Sequence, residues 1–150
     1  MNILLLYTTN SGGTEMVANE ISQKLTGHTV DLKRILDTNP DEIKAHDVIL
    51  VGSPSWDFDG KEGQPHEDWF AFKKGLQGNP FEGKKCAVFG LGDSSYKIFC
   101  GGVTELEKWV EEWKMTRVTD SLRIDKYFYK QAEANEAINA WCTNVVDALK

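Results

Sequence analysis

Three short polar segments hold the residues whose types could do chemistry: Thr8–Thr14 (TTNSGGT), Ser53–Asp57 (SPSWD) and Gly90–Tyr96 (GLGDSSY). The first has four hydroxyl side chains and two consecutive glycines, and each of the others presents one large aromatic ring, Trp56 or Tyr96. Glycines let backbone N–H groups converge on an anion, and a helix that starts there adds a favourable dipole. Two rings suit a flat ligand. The three segments together predict a ligand with both a phosphate and a planar aromatic ring.

Each polar segment directly follows an apolar run that is predicted to be a buried strand. These runs are Ile3–Tyr7, Val48–Val51 and Cys86–Phe89, and none of them alternates with polar residues. Continuous apolar runs are typical of parallel strands covered on both faces. Because segments that leave the carboxyl ends of parallel strands gather at one edge of the sheet, the three segments are expected to form one site.

Helical patterns separate the strands. A mixed run at Thr29–Ile35 predicts another strand, and a fifth is expected within Arg117–Ile124. Apolar residues at three- and four-residue steps predict helices at Val17/Ile21/Leu25, Trp69/Phe72/Leu76, Val103/Leu106/Trp109/Val110/Trp113 and Ile138/Trp141/Cys142/Val145/Leu149. This alternation predicts an α/β fold with three layers, in which helices cover both faces of a doubly wound five-stranded parallel sheet. The longest irregular segment is expected at Pro54–Gln64.

Composition narrows the function. The 150 residues are 41% hydrophobic, which suits one domain over residues 1–150, and the net charge of -6 argues against a nucleic-acid partner. No apolar run approaches the roughly 20 residues of a spanning helix, and no signal peptide is recognisable, so we expect no membrane partner and a cytoplasmic protein. Cys86, Cys100 and Cys142 show no metal-ligand spacing and are expected to be free thiols.

The first polar segment differs from the phosphate loop of nucleotide triphosphatases. That loop needs a Lys after its last glycine, whereas Thr14 follows Gly13 here, and no Lys or Arg precedes Lys24. Neutral donors without a cation suit a single terminal phosphate better than a triphosphate. A plainer interpretation is an ordinary polar turn in which Asn10 or Ser11 caps the helix.

The two aromatic residues of the other segments stand outside the helical stripes. Trp69, Trp109, Trp113 and Trp141 belong to apolar stripes and are predicted to pack in the core. Trp56 and Tyr96 are flanked by polar residues, so they are candidates for stacking on a ring, although partly buried filler is the alternative interpretation for a lone Trp.

At these residues the sequence resembles the flavodoxins, and the resemblance covers essentially the whole chain. The phosphate-loop form T/S-x-T-G-x-T is similar to Thr9–Thr14, and the two ring loops are similar to Pro54–Trp56 and Gly90–Tyr96 with Phe99 and Cys100. A further family segment has its counterpart at Thr119–Asp125. No insertion of roughly twenty residues interrupts this region, so the chain resembles the short-chain type.

This resemblance implies a flavodoxin-like strand order 2-1-3-4-5 and a low-potential one-electron carrier that uses non-covalently bound FMN and is not an enzyme. Trp56 is expected on the inner face of the flavin ring and Tyr96 on the outer face. The implied FMN-binding residues are Thr9, Asn10, Ser11, Gly12, Gly13, Thr14, Pro54, Ser55, Trp56, Asp57, Leu91, Gly92, Asp93, Tyr96, Phe99 and Cys100. The implied partners are redox proteins, namely reductases and low-potential acceptor enzymes, and the protein is expected to be a monomer.

One residue departs from the family pattern. Members often have Gly or Asn after the tryptophan, because the carbonyl there turns toward flavin N5 on one-electron reduction, and this chain has Asp57. Asp accepts positive φ less readily than Gly. We therefore predict a turn that flips less easily and a smaller fraction of the one-electron-reduced form than a glycine version would give.

Acidic residues surround the second segment: residues 57–68 include Asp57, Asp59, Glu62, Glu67 and Asp68 and only one cation, Lys61. The plain interpretation is a solvated loop. Near a desolvated flavin, however, these charges would oppose an anionic reduced state and lower the second reduction potential, and they would steer basic partners.

Two other function classes fit the same fold. A phosphoacceptor receiver needs clustered acids after the first strand, and Tyr7–Asn10 has none. A flavin enzyme such as a quinone reductase needs an open pocket over the ring, which Trp56 and Tyr96 are expected to cover. No His lies in a hydrolytic arrangement with a nucleophile, and His66 is expected at the surface.

Overall fold

The computed structural model describes residues 1–150. Eight strands follow in chain order: β1 (Asn2–Tyr7), β2 (Thr29–Arg34), β3 (Val48–Ser53), β4 (Trp56–Phe58), β5 (Lys61–Gln64), β6 (Lys85–Gly92), β7 (Thr116–Arg117) and β8 (Leu122–Asp125). The helices are α1 (Gly13–Lys24), α2 (Pro40–Lys44), α3 (Glu67–Gly75), α4 (Gly101–Glu112) and α5 (Gln131–Ala148), with a 3-10 turn at Ile35–Asp37.

A parallel sheet forms the centre of the molecule in the order β2-β1-β3-β6, with β7 and β8 both paired to the outer side of β6. The α/β fold and the strand order are as predicted. The strands β1, β3 and β6 are buried along nearly their whole length, which explains why their sequences are apolar without alternation.

The predicted fifth strand is broken into two pieces. The pairing register against β6 shifts by two residues between β7 and β8. Residues 119–121 leave the sheet edge after a last hydrogen bond from the Val118 N–H to the Cys86 carbonyl at 2.9 Å. Glu107 of α4 holds this break: its carboxylate accepts a hydrogen bond from Ser121 Oγ at 2.6 Å and pairs with Arg117 and Arg123 at 2.7 and 2.9 Å. These hydrogen bonds and cations outweigh burial and lower the pKa of Glu107. The sheet therefore has six strands and not five.

The two faces of the sheet carry separate hydrophobic clusters. One joins α1 and α5 to the sheet through residues such as Val17, Ile138 and Trp141. The other joins α3 and α4 and is rich in aromatic rings, including Trp69 and Trp109. The four tryptophans predicted to be core residues are all buried. None of the helices has the length and apolar character that crossing a lipid bilayer would need.

The segment predicted to be irregular, Pro54–Gln64, contains a hairpin, so that prediction was wrong. β4 and β5 pair antiparallel with Phe58 opposite Lys61, which leaves a two-residue turn at Asp59 and Gly60. Both turn residues have positive φ, 51° and 76°. An Asp-Gly pair favours this kind of turn because both positions need positive φ. The Asp-Gly pair was the sequence signal for the hairpin.

Candidate functional site

The loop between β1 and α1 has the backbone of an anion cradle. Gly12 caps α1 in the left-handed region, with φ 91°, and no side chain caps the helix. The Thr9 hydroxyl instead accepts a hydrogen bond from the Gly12 N–H at 3.0 Å and so closes the loop on itself. Neither Asn10 nor Ser11 acts as a cap, and the interpretation of this segment as an ordinary capping turn was wrong.

Several N–H groups of this loop have no acceptor in the protein. The first intrahelical bond of α1 runs from the Met16 N–H to the Gly12 carbonyl at 3.0 Å, and the N–H groups of Asn10 and Ser11 bond to no protein atom. The N–H groups of Gly13–Glu15 stand at the helix start, where intrahelical acceptors are lacking. A row of unpaired donors at a helix N-terminus suits an anion.

One cation lies nearer to this loop than the sequence order suggested. Arg34, at the end of β2, is opposite Tyr7 in the sheet, and its guanidinium donates to the Glu15 carboxylate at 2.9 Å. Hydrogen bonds with Tyr7 and Glu15 raise the pKa of Arg34. Since Glu15 already neutralises this cation, the anion cradle remains a set of neutral donors.

A cavity of about 460 Å³ opens at the same edge of the sheet. Its size lies within the range of small-molecule sites. The lining residues are Ser55, Trp56, Asp57, Glu62, Gly63, Asp93, Tyr96 and Ile98. Five of these are among the predicted binding residues, and the structure thus brings the second and third polar segments together. Three lining residues were missed: Glu62 and Gly63 return to the site on β5, through the hairpin, and Ile98 follows Tyr96 in the same loop.

Trp56 is a wall of this cavity, supported from behind. Its ring stacks on His66 with centroids 5.3 Å apart and planes 22° apart. The indole Nε1–H of Trp56 is buried and has no hydrogen-bond partner in the protein. A buried donor without a partner is uncommon and costs free energy. Because this atom has almost no exposed surface although the cavity is open, the indole N–H does not point into the cavity, and the structure shows no partner for it.

His66 is buried, so the prediction that it lies at the surface was wrong. Its backbone N–H donates to Ser53 Oγ at 2.9 Å. Its ring Nδ1 accepts from the Asp68 backbone N–H at 3.0 Å, and this bond caps α3. Ser53 Oγ also accepts from the Thr8 hydroxyl at 3.2 Å. This chain of bonds connects the end of β1, the end of β3 and the support of the Trp56 ring.

Tyr96 also lines the cavity but is 67% exposed. Its loop is held by Asp125 of β8, whose carboxylate accepts from the Ser94 N–H and hydroxyl, both at 2.8 Å. The two Ser94 hydrogen bonds lower the pKa of Asp125. Within the loop, Ser95 donates through its hydroxyl and its N–H to Asp93 and lowers the pKa of that carboxyl. The two aromatic walls are therefore unequal: one is packed from behind, and the other is open to solvent.

Asp57 lies inside the hairpin. It sits between the paired positions Trp56 and Phe58, opposite a bulge that contains Glu62 and Gly63, and Gly63 has φ 69°. The φ of Asp57 itself is not positive. The hairpin ladder therefore fixes the backbone on both sides of Asp57, which adds to the restriction expected from the residue type.

The other predicted ring-binding residues do not line the cavity: Pro54, Leu91, Gly92, Phe99 and Cys100. Cys100 is buried at the start of α4 with φ 49°, and burial raises the pKa of its thiol to about 12. A Cβ on Gly92 would lie 2.7 Å from Cys100 Sγ, so the end of β6 packs closely there. Phe99 is 36% exposed. Pro54 is half-buried, and its carbonyl lies against the N-terminus of α4.

The hairpin is seated on the N-terminus of α4 by close backbone contact. A Cβ on Gly101 would lie 2.3 Å from the Gly63 carbonyl oxygen, and the Gly102 N–H donates to Ser55 Oγ at 2.9 Å. Only glycine permits this approach at Gly101. This contact between the hairpin and the N-terminus of α4 holds Ser55 and β5 in place beside the cavity.

The charged side chains that line the cavity are all acidic: Asp57, Glu62 and Asp93. Such a cavity disfavours a bound group that gains negative charge. It has no metal-ligating cluster of histidine, cysteine and carboxylate side chains.

Comparison with known proteins gives the family. The family model described as Flavodoxin matches residues 5–141. The chain belongs to the flavodoxin family. A flavodoxin of Maridesulfovibrio salexigens is 29% identical over 97% of this chain and 97% of its own length. Among solved structures, the oxidised flavodoxin 2 of Bacillus cereus is 30% identical, covers 98% of this chain and 99% of its own, and superposes with a TM-score of 0.81.

The same fold occurs at lower identity. The Fusobacterium nucleatum flavodoxin, whose structure is bound to flavin mononucleotide, is 19% identical over 96% of both chains, with a TM-score of 0.80. Family membership makes this chain an electron-transfer flavoprotein that uses FMN and not an enzyme. The fold, the FMN cofactor and the carrier function expected from the sequence are thereby confirmed.

Proposed function

We propose that this protein holds FMN with its phosphate in the Thr9–Thr14 loop and its ring in the cavity between Trp56 and Tyr96, and that it passes single electrons at low potential between redox proteins. The observation that carries the proposal is a cavity lined by Trp56 and Tyr96 on the same sheet edge as a loop of unpaired N–H donors.

The residues present fit such a ligand. Neutral N–H groups and hydroxyls of the Thr9–Thr14 loop bind the phosphate, while the bond from the Gly12 N–H to the Thr9 hydroxyl keeps the loop closed. Trp56 covers one ring face because His66 supports it from behind, and Tyr96 covers the other. Pro54, Leu91, Gly92, Phe99 and Cys100 shape the backbone around the ring edge. The bound flavin supplies the redox chemistry, and the protein sets its potential and exposure.

The charges of the cavity support a low potential. Asp57, Glu62 and Asp93 line it, and no Lys or Arg does. Negative side chains next to a weakly solvated ring disfavour its anionic reduced state, so the reduced protein donates its electron readily. The same acidic rim favours partners with basic docking faces, and we expect reductases as donors and low-potential enzymes as acceptors.

Three further properties belong to this proposal. Both hydrophobic clusters pack on one continuous sheet, which supports one domain over residues 1–150. The acidic net charge supports a monomer without a nucleic-acid partner. Three free, buried cysteines support a reducing, cytoplasmic location.

The test is a titration of flavin-free protein with FMN, followed by stepwise reduction with dithionite. We expect quenched flavin fluorescence, shifted absorption bands and reduction in two separate one-electron steps. Riboflavin is the matched control, because it has the ring and lacks the phosphate, and it is expected to bind more weakly. A protein that leaves FMN fluorescence unchanged at micromolar concentration contradicts the proposal.

A further inference from the structure

The turn that follows β8 carries an aromatic ring onto the phosphate loop. A Cβ on Gly13 would lie 3.2 Å from Phe128 Cε2 and 3.0 Å from Leu91 Cδ2. Phe128 thus occupies the space that a side chain at position 13 would need. The ring is 50% exposed, while the next residue, Tyr129, is 88% exposed. Phe128 is therefore neither a core residue nor a free surface residue.

The backbone around Phe128 is fixed by hydrogen bonds to the sheet. Lys126 has φ 50°, and its N–H donates to the Gly92 carbonyl at 2.9 Å, which extends the pairing of β8 with β6. The N–H groups of Tyr129 and Lys130 donate back to the Lys126 carbonyl at 2.9 and 3.0 Å. The position of the ring is thus set by the sheet and not by the loop that it touches.

A second contact holds the ring itself. Phe128 packs edge-on against Tyr127, with centroids 5.4 Å apart and planes 65° apart, and Tyr127 is buried. Edge-to-face pairs of this kind favour one relative orientation of the rings. One edge of Phe128 rests on a fixed neighbour while Cε2 and Cζ face Gly13.

Space, and not conformation, explains the glycine at position 13. Gly12 has positive φ and needs to be glycine for that reason, whereas Gly13 does not have positive φ. An alanine could adopt the backbone of Gly13 but would press against Phe128 and Leu91. Gly13 and Phe128 therefore form a matched pair: the ring of Phe128 fills the space that a side chain at position 13 would occupy.

We propose that Phe128 is a positioning residue for the phosphate loop and raises the affinity for phosphorylated flavin over riboflavin. This inference rests on the proposed FMN site. A loop with two adjacent glycines loses much conformational entropy when it orders around an anion. A ring seated on Gly13 orders the loop before binding, which reduces that cost. The ring also keeps water from one side of the N–H donors, and hydrogen bonds to an anion are stronger there.

The first test compares Phe128→Ala with Tyr129→Ala in titrations with FMN and with riboflavin. We expect Phe128→Ala to lower the FMN affinity about tenfold, the scale of one side chain's ordering cost, and to change the riboflavin affinity less than about twofold. Tyr129→Ala is the control, because it removes an aromatic ring that belongs to the same turn but does not contact the loop. Its affinities for FMN and for riboflavin are both expected to match those of the wild type. Far-UV circular dichroism checks that each variant is folded.

The second test exploits the matched pair. Gly13→Ala in the wild type is expected to lower FMN affinity because the new methyl group meets Phe128. In the Phe128→Ala background the same change is expected to restore part of the lost affinity, since the methyl group fills the emptied space. Phe128→Leu, which keeps apolar bulk, is expected to retain most of the FMN preference. A purely structural role for Phe128 would not produce this reversal of sign.

The outcomes separate this inference from the proposed function. Wild-type protein that binds no FMN contradicts the proposed function itself. Wild-type protein that binds FMN tightly, with Phe128→Ala equal to it, overturns the role of Phe128 and leaves the carrier function standing. Equal losses of FMN and riboflavin affinity in Phe128→Ala also overturn the inference, because they place the effect at the ring and not at the phosphate.

Discussion

The phosphate loop and the ring cavity are built in different ways. The loop is closed by its own atoms, from the Thr9 hydroxyl to the Gly12 N–H, and Thr14 within it is buried. The cavity is assembled from the hairpin and the Tyr96 loop, which are distant in sequence, and its outer wall is 67% exposed. One region presents backbone N–H groups in a fixed arrangement, and the other presents side chains that solvent reaches.

This difference suits the two parts of the ligand. A phosphate keeps its charge throughout electron transfer, so a rigid set of donors serves it in every redox state. The ring changes charge and hydrogen bonding on reduction, so its walls need an exposed edge and some freedom to adjust. Changes in the cavity are therefore expected to affect both FMN and riboflavin, whereas changes at the phosphate loop affect FMN alone. The following predictions test that separation.

The largest effect is expected from Gly101→Ala. The new Cβ would meet the Gly63 carbonyl oxygen, a backbone atom that cannot rotate away. We expect the free energy of unfolding to fall by about 3 kcal/mol, at the upper end of overpacking costs. FMN and riboflavin affinities should both fall, because the hairpin leaves its seat on α4. Urea denaturation and flavin titration measure these changes.

The matched control for that change is Gly75→Ala. Gly75 is the last residue of α3, has no positive φ, and a Cβ there meets nothing within 4 Å. The free energy of unfolding of Gly75→Ala should equal that of the wild type or be slightly higher. If Gly101→Ala has the same free energy of unfolding as this control, the close approach of Gly63 to Gly101 does not require a glycine at position 101.

The next effect compares the two aromatic walls. Trp56→Ala removes a ring that His66 supports, and we expect FMN and riboflavin affinities to fall about tenfold, the upper range of an aromatic stacking contribution. Tyr96→Ala removes an exposed ring and should cost less, about threefold. Fluorescence titration measures both. Equal losses of flavin affinity in the two variants would show that the packing of His66 against Trp56 does not strengthen stacking on the flavin ring.

A smaller effect is expected from the acidic rim. The variant Asp57→Asn/Asp59→Asn/Glu62→Gln removes three negative charges without removing bulk. The potential of the second reduction step should rise by an amount equivalent to about 1 kcal/mol, the scale of partly screened charges near a surface. Electron transfer to a basic partner should also lose much of its salt dependence. An unchanged potential in spectroelectrochemical titration counts against a through-space role.

Asp57→Gly tests the backbone of the hairpin. Glycine removes the side-chain restriction on positive φ, worth roughly 1–2 kcal/mol, and the fraction of the one-electron-reduced form at mid-titration should increase. Asp57→Ala is the control, because it removes the charge and keeps a Cβ, which restricts positive φ. If Asp57→Gly and the wild type yield the same fraction, the hairpin ladder and not the residue type limits the backbone.

The smallest effect is expected from acid. The folded-state pKa of Asp125 is lower than the value of about 3.9 expected in the unfolded chain, because Ser94 donates two hydrogen bonds to the carboxylate. Its stabilisation of the Tyr96 loop is therefore complete above about pH 5 and is lost as the pH falls through the folded-state pKa. Riboflavin affinity should decline over this range in the wild type and more weakly in Asp125→Asn. Parallel pH profiles would contradict this role.

Local patterns predicted most of the elements. The apolar runs at β1, β3 and β6 and the helical stripes of α1, α3, α4 and α5 match the structure because burial on both faces or on one stripe leaves a direct periodic signal. Helix α2 has five residues, little more than one turn, and gives no such period. The break between β7 and β8 depends on Glu107, which lies on another element, so no local pattern indicates it.

The site shows the same distinction between local sequence patterns and contacts that join separate elements. The sequence by itself determined the chemistry of the phosphate loop and the presence of two rings near one sheet edge, because the residue types and the strand endings are local properties. Tertiary structure alone decided that His66 supports Trp56, that Glu62 and Gly63 return to the cavity, and that Phe128 covers Gly13. These contacts join residues from separate elements, and only the packing of the whole chain brings them together.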